Sequence, residues 1–177
     1  MGGRFEHVVP VLTDGVVVLN AYTAADVAAH LAGEDEETAR RFGWRPHAST
    51  EDTVREAFGR CAHDWETAGP TRAFAVREAA TDRLVGGCEL RLQPDGSAQV
   101  SYWTSSAERR RGHATRALTL LLQYARSVGV GQADAEVATD NLASRRVAEN
   151  AGLYLTSTFT ATDGTRMIRY RVRLAEA

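Results

Sequence analysis

The chain has 177 residues, 44% hydrophobic and 25% charged, with a formal net charge of −2. This length suits one compact domain with a full core, taken here as residues 1–177. The near-neutral balance argues against a nucleic-acid-binding domain, whose basic excess spreads over the whole fold.

The first element is a strand, Val16–Asn20, where β-branched residues follow a turn signal. TAADVAAHLAG opens on a Thr cap and closes at Gly33, a short helix. EDEETARRFGW is charged and fits either a helix or a loop. Ser49 or Thr50 then caps a longer amphipathic helix carrying Val54, Phe58, Cys61 and Trp65 and ending at Gly69. Three strands follow, Thr71–Glu78, Arg83–Leu92 and Ser97–Ser105. The turn-like connectors ATDR and QPDG predict an antiparallel meander. From His113 to about Val128, Ala117, Leu118, Leu121, Leu122 and Ala125 make one helical stripe. ADAEVAT is a strand, and Asn141 caps a helix that ends at Gly152. A hairpin around TDGT completes the chain. In its last strand Ile168, Tyr170, Val172 and Leu174 alternate with Arg169, Arg171 and Arg173, which gives one buried and one wet face. The order β-α-α-β-β-β-α-β-α-β-β is that of a mixed α/β (α+β) layer fold.

Cys61 and Cys88 form no disulfide framework. Cys61 and His63 make a Cys-x-His pair with no second pair nearby, so no metal is expected. No apolar run reaches membrane-spanning length. The opening MGGRFEHVVP has no signal-peptide apolar region, and Glu6 stands where a myristoylation pattern needs Ser or Thr. The expected location is cytoplasmic, with no membrane partner.

The segment SSAERRRGHAT carries the chemistry. Three arginines crowd in front of a helix N-terminus that already bears partial positive charge. A strand, a glycine-containing turn and a helix N-terminus together form an anion site. Gly112 allows close backbone approach. The arginines then make sense if a polyphosphate ligand, not the protein, pairs them. The plainer reading is a solvated turn. A Walker P-loop and a dinucleotide fingerprint are both absent.

The run from Arg109 to Ala114 fits the Arg/Gln-x-x-Gly-x-Gly/Ala signature of the GNAT superfamily of acetyl-CoA-dependent N-acetyltransferases. AEVATDNLASRRVAENAGL resembles the following strand and helix of its RimJ/RimL branch, and LTDGVVVLNAYTAADVAAHL resembles that branch's beginning. The resemblance is sharpest over residues 98–153. It implies the GNAT fold: a mostly antiparallel sheet of about seven strands, splayed between the fourth and fifth, with about four helices on both faces.

The resemblance also implies a site. Backbone amides of Arg109, Arg110, Arg111, Gly112, His113, Ala114 and Thr115 should hold the coenzyme A pyrophosphate. The pantetheine arm should lie between the splayed strands, with Asn141 contacting it. A backbone N–H near Trp103 or Thr104 should polarise the thioester carbonyl. Many GNAT enzymes carry a Tyr acid seven positions after the Asn matched by Asn141. Ala148 stands there instead, so Ser144 becomes the expected acid, with Tyr154 a weaker candidate. Glu136, five residues before Asn141, matches the catalytic Glu of the related RimI branch, and Glu89 is the competing carboxylate.

The general chemistry agrees with such a set. Amine attack on a thioester needs a neutral amine, although an α-amine has a pKa of about 8 and a lysine about 10.4. A carboxylate can take the proton, and N–H donors can hold the oxyanion. Phe42, Trp44 and His47 either shape an amine pocket or pack into the core. The expected partners are acetyl-CoA and a primary amine, either a protein N-terminus or a small molecule. The alternative is a non-catalytic acyl-CoA-binding module, favoured only by the missing Tyr at 148. RNA binding through Arg109–Arg111 is disfavoured by the acidic balance and the lack of an RNA-binding aromatic motif. Oligomeric state, monomer or homodimer, is not readable from the sequence.

Overall fold

The computed structural model describes residues 8–43 and 49–174. In chain order these form β1 (Leu12–Thr13), β2 (Val17–Asn20), α1 (Asp26–Gly33), α2 (Glu36–Arg41), α3 (Glu51–Glu66), β3 (Thr71–Glu78), β4 (Leu84–Leu92) and β5 (Ser97–Thr104). A 3-10 turn (Ser106–Glu108) leads to α4 (His113–Ser127), β6 (Gln132–Ala138), α5 (Leu142–Asn150), β7 (Tyr154–Thr160) and β8 (Arg166–Arg173). One element goes beyond the sequence expectation, and one reading left open there is decided. A two-residue strand pairs in front of β2. The charged segment folds as α2 because Asp35 accepts a bond from Thr38 N and caps it.

The eight strands form one sheet in the order β1-β2-β3-β4-β5-β6-β8-β7. Every pairing is antiparallel except β5–β6. That parallel pair is held only at Ser97–Gln132, Ala98–Ala133 and Gln99–Asp134. Beyond these residues the two strands part. A right-handed crossover through α4 is the ordinary way to join parallel neighbours. Here it places the helix N-terminus beyond the end of β5, at the open end of the notch.

Strand alternation sorts the side chains. Leu19, Phe74, Cys88, Leu90, Val100, Ala133 and Ala135 join Leu118, Leu121 and Leu122 of α4 in the core. Tyr102 shares the α4 face with Val100, whereas Trp103 falls on the other face, in register with Gly87. That second face is covered by α1. A nearly buried ion pair pins it: Arg77 of β3 donates to both oxygens of Asp26, at 2.8 and 2.7 Å. Trp65 of α3 donates its Nε1–H to the Ala73 carbonyl, which ties α3 to β3.

Candidate functional site

The site grows from the end of β5. Residues 105–112 carry the chain from the strand to α4, and two of them turn left-handed: Arg110 at φ 62° and Gly112 at φ 79°. Arg110 carries the strain of that conformation, while Gly112 adopts it freely. Gly112 is the N-cap of α4, no side chain caps the helix, and its first turn holds no acidic residue. By contrast, Thr50 caps α3 and Asn141 caps α5. The leading amides of α4 therefore keep their donors for an outside anion. A Cβ at Gly112 would meet nothing within 4 Å, so there is room in front of these amides.

The three arginines divide their work, which corrects the expectation that a ligand alone pairs them. Arg109 grips Asp35 at 2.7 and 2.8 Å and also donates to Thr38 Oγ1 at 2.7 Å. The Arg109 guanidinium holds the Asp35 carboxyl well below the usual carboxylate range, against the smaller opposing effect of burial. Arg111 lies 3.1 Å from Glu108, a buried carboxylate that Arg83 meets from the other side at 2.9 Å. Among the described residues, only Arg110 of the three lacks an ion-pair partner, and it is exposed. His113 is buried at the start of the helix, with Nδ1 unpartnered among the described residues. Ala114 and Thr115 are half-buried.

Across the notch, Asn141 Oδ1 accepts from Ser144 N and caps α5, leaving its NH2 end as a donor. Ser144 is tied to β5: Tyr102 Oη lies 2.9 Å from Ser144 Oγ and donates to its carbonyl at 2.9 Å. Burial pushes the Tyr102 hydroxyl up to about 12, so it stays protonated at neutral pH. Sequence reasoning missed Tyr102. Its signal was the strand alternation that sends it and Trp103 to opposite faces. Ala148 is fully buried within α5. Tyr154 is half exposed at the start of β7.

Both candidate bases point to the α1 face of the sheet or its continuation in β6. Glu136 Oε1 accepts from Arg169 at 2.7 and 3.2 Å, across the β6–β8 register. Glu89 lies opposite Ser101 and is 3.3 Å from Arg91. Thr104 pairs with Gly86 at the end of β5.

On the α1 face the strand end meets an aromatic wall. The His30 ring stands edge-on to Trp103 at 4.6 Å and to Phe58 at 5.7 Å, and Tyr22 stacks on Phe58 at 4.3 Å. Gly87 makes this possible, because a Cβ there would collide with Tyr22 Oη and Trp103 Nε1. Phe42 is partly exposed at the end of α2, while Trp44 and His47 lie outside the described residues. Burial pushes the Cys61 thiol up to about 11 and the Cys88 thiol higher still, so neither is a ready nucleophile. Among the described residues no cluster of His, Cys, Asp and Glu could hold a metal, and no helix is long and apolar enough to cross a membrane.

A splayed parallel pair with an uncapped helix N-terminus at its mouth makes a cleft that ends in an anion-binding site. The sequence signature of the Acetyltransferase (GNAT) domain matches residues 17–154, and the chain belongs to that family of acetyltransferases. No curated protein matches the sequence. Solved structures share the fold at low identity. RimL, a ribosomal L7/L12 α-N-protein acetyltransferase in complex with coenzyme A, superposes with TM-score 0.81 at 15% identity, covering 93% of this chain and 98% of its own. Mycobacterium smegmatis RimJ with a coenzyme A disulfide gives 0.75 at 19%, covering 98% and 90%. A Vibrio cholerae spermidine N-acetyltransferase with coenzyme A and spermine gives 0.75 at 17%, covering 91% and 97%.

Proposed function

We propose that the chain transfers the acetyl group of acetyl-CoA to a primary amine by direct attack within a ternary complex. The observation that carries this is the uncapped, acid-free N-terminus of α4, set at the open end of the β5–β6 notch. That three structural neighbours were solved with coenzyme A supports it. The raised thiols of Cys61 and of the buried Cys88 favour direct attack over an acyl-cysteine intermediate.

In this reading the amides of Arg109 to Thr115 hold the pyrophosphate, and the exposed Arg110 side chain adds its charge. The diverging edges of β5 and β6 that face each other hold the pantetheine arm, with Asn141 as a further donor. Acetyl-CoA supplies the activated thioester, and the N–H of Trp103 or Thr104 binds its carbonyl oxygen. Ser144, backed by a Tyr102 hydroxyl that stays protonated, gives the leaving thiolate its proton. Glu136 receives the proton lost by the amine, with Arg169 orienting its carboxylate. The acceptor is a protein N-terminus or a small amine, and the protein works in the cytoplasm, without a metal and away from membranes and nucleic acid.

Thiol release across a panel of amines tests the proposal. Release with at least one acceptor is expected. Tight coenzyme A binding with no release from any amine would leave a non-catalytic acyl-CoA-binding module, the reading that Ala148 in place of a tyrosine favours.

A further inference from the structure

The turn in front of α4 is not held in shape by its own backbone. Glu108 N donates to the Ser105 carbonyl at 2.8 Å, and the next amide to donate is that of Arg116, to the Gly112 carbonyl at 3.1 Å. Among the described residues, none of the amides from Arg109 to Thr115 donates a backbone hydrogen bond, and no side chain caps the helix. In the middle of this stretch Arg110 stands at φ 62°. A left-handed arginine is strained and persists only where its surroundings impose it.

Side chains impose it here. Glu108 ends the 3-10 turn, and its carboxylate is only 7% exposed. Its Oε1 lies 2.9 Å from Arg83, the residue before β4. Its Oε2, closed to solvent, makes no hydrogen bond among the described residues and lies 3.1 Å from the Arg111 guanidinium, whose charge compensates it. A carboxylate withdrawn from water is costly unless opposite charge meets it, so Glu108 holds both arginines firmly. Arg83 is braced in turn by Glu78 of β3, at 3.2 Å. Arg109 is bound to a different element, through Asp35 at the cap of α2. Arg110 therefore stands between two side chains with separate anchors.

We infer that Glu108 is the positioning residue of the phosphate-binding turn. By holding Arg111 and tying the turn to β4, it sets the amides of Arg110, Arg111 and Gly112 for an anion before the ligand arrives. It acts through the turn and not on the ligand. The inference rests on the acetyl-transfer reading above, in which these amides hold the pyrophosphate. The charge of Glu108 gives the role a sign. A carboxylate beside an anion site repels the anion, so if Glu108 acted by charge alone its removal would tighten acetyl-CoA binding. If it holds the turn, its removal weakens that binding.

The test is a calorimetric titration of acetyl-CoA at low salt into the wild type, Glu108→Gln, Glu108→Asp, Arg111→Gln and the double glutamine variant, each first checked by thermal melt. Glu108→Gln should bind at least about tenfold more weakly, although it removes a negative charge. Glu108→Asp keeps the charge and shortens the reach, so it should lose affinity to a smaller degree, and it carries the test if the glutamine variant does not fold. Because Glu108 acts through Arg111, the double variant should lose less than the two single losses combined. A role in packing alone would weaken every ligand alike, so acetylpantetheine, which has no phosphate, is the control. Its affinity for Glu108→Gln should fall far less than that of acetyl-CoA. Equal or tighter acetyl-CoA binding by the folded glutamine or aspartate variant would overturn the assignment. So would fully additive losses, or an equal loss for acetylpantetheine. Amide NMR shifts of the wild type, followed during the same titration, separate this inference from the reading beneath it. If the amides of residues 109–115 do not respond to acetyl-CoA, the phosphate site itself is refuted. If they respond and Glu108→Gln binds as the wild type does, the phosphate site stands and the positioning role falls.

Discussion

Asp26 and Arg77 show what a single residue carries in this molecule. Both side chains are almost wholly buried, and two short hydrogen bonds join them. Burial alone would raise the Asp26 carboxyl, but the Arg77 guanidinium and the Thr23 amide outweigh it and hold the group below its usual range. Removing one partner leaves the other charge buried alone. Asp26→Asn should therefore lower unfolding stability by about 3–5 kcal/mol in a denaturant titration. A loss under about 1 kcal/mol would show that the pair is not desolvated. The depressed carboxyl also fixes the sign of the pH effect. Its contribution is complete above the unfolded value of 3.8 and is lost as pH falls through the lower folded value. The wild type should thus lose stability on acidification below about pH 4, and Asp26→Asn should lose less.

Also at this scale, Ser144 and Tyr102 act as a pair. If Ser144 protonates the thiolate, Ser144→Ala should lower kcat with acetyl-CoA affinity unchanged, and Tyr102→Phe should do the same to a smaller degree. Glu136→Gln should lower kcat/KM about 100-fold, with partial rescue at high pH where the free amine is abundant. Glu89→Gln is the comparison. If it is crippled while Glu136→Gln is near wild type, the base lies on β4 and the analogy to the RimI branch fails.

At the scale of elements, α2 spans the notch. Asp35, which caps it, is bound to Arg109 beside the proposed pyrophosphate loop. At its other end Arg41 meets Asp140, just past β6, at 3.0 Å. The helix has only six residues and would not hold its shape alone. Asp35→Asn removes one end of this clasp. Amide exchange across 36–41 should accelerate, while global stability moves by less than about 1 kcal/mol because the pair is partly exposed. Unchanged exchange would show that α2 is held by packing alone. The same helix marks where sequence reading stopped. α4 was legible because Leu118, Leu121 and Leu122 repeat at helical spacing. EDEETARRFGW has no such stripe, so its helix depends on contacts that composition does not show. The partner of Arg109 stands 74 residues away, and no local pattern links the two. For the same reason the arginine run read as a ligand-facing cluster, when two of its three members are occupied within the protein.

For the whole molecule, the topology explains why the site sits where it does. The sheet is antiparallel except at the step from β5 to β6, and that step is where the strands part. The crossover helix brings its N-terminus to the opening, and α5 brings Asn141 and Ser144 to the other side. This much was readable from the order of elements and from the segment around Gly112. The division of the two sheet faces, with Tyr102 toward α5 and Trp103 toward α1, needed the register. The central claim is that the start of α4 binds the phosphates of acetyl-CoA. Calorimetric titration of acetyl-CoA into the wild type, Gly112→Asn and Gly112→Glu tests it most directly. Asparagine tolerates the left-handed backbone at Gly112 and adds no charge, so it isolates bulk and strain from electrostatics. The account predicts that Gly112→Glu, folded by thermal melt, binds acetyl-CoA at least about tenfold more weakly than Gly112→Asn, with the gap narrowing as salt rises. Equal affinity in the two folded variants at low salt would contradict the claim.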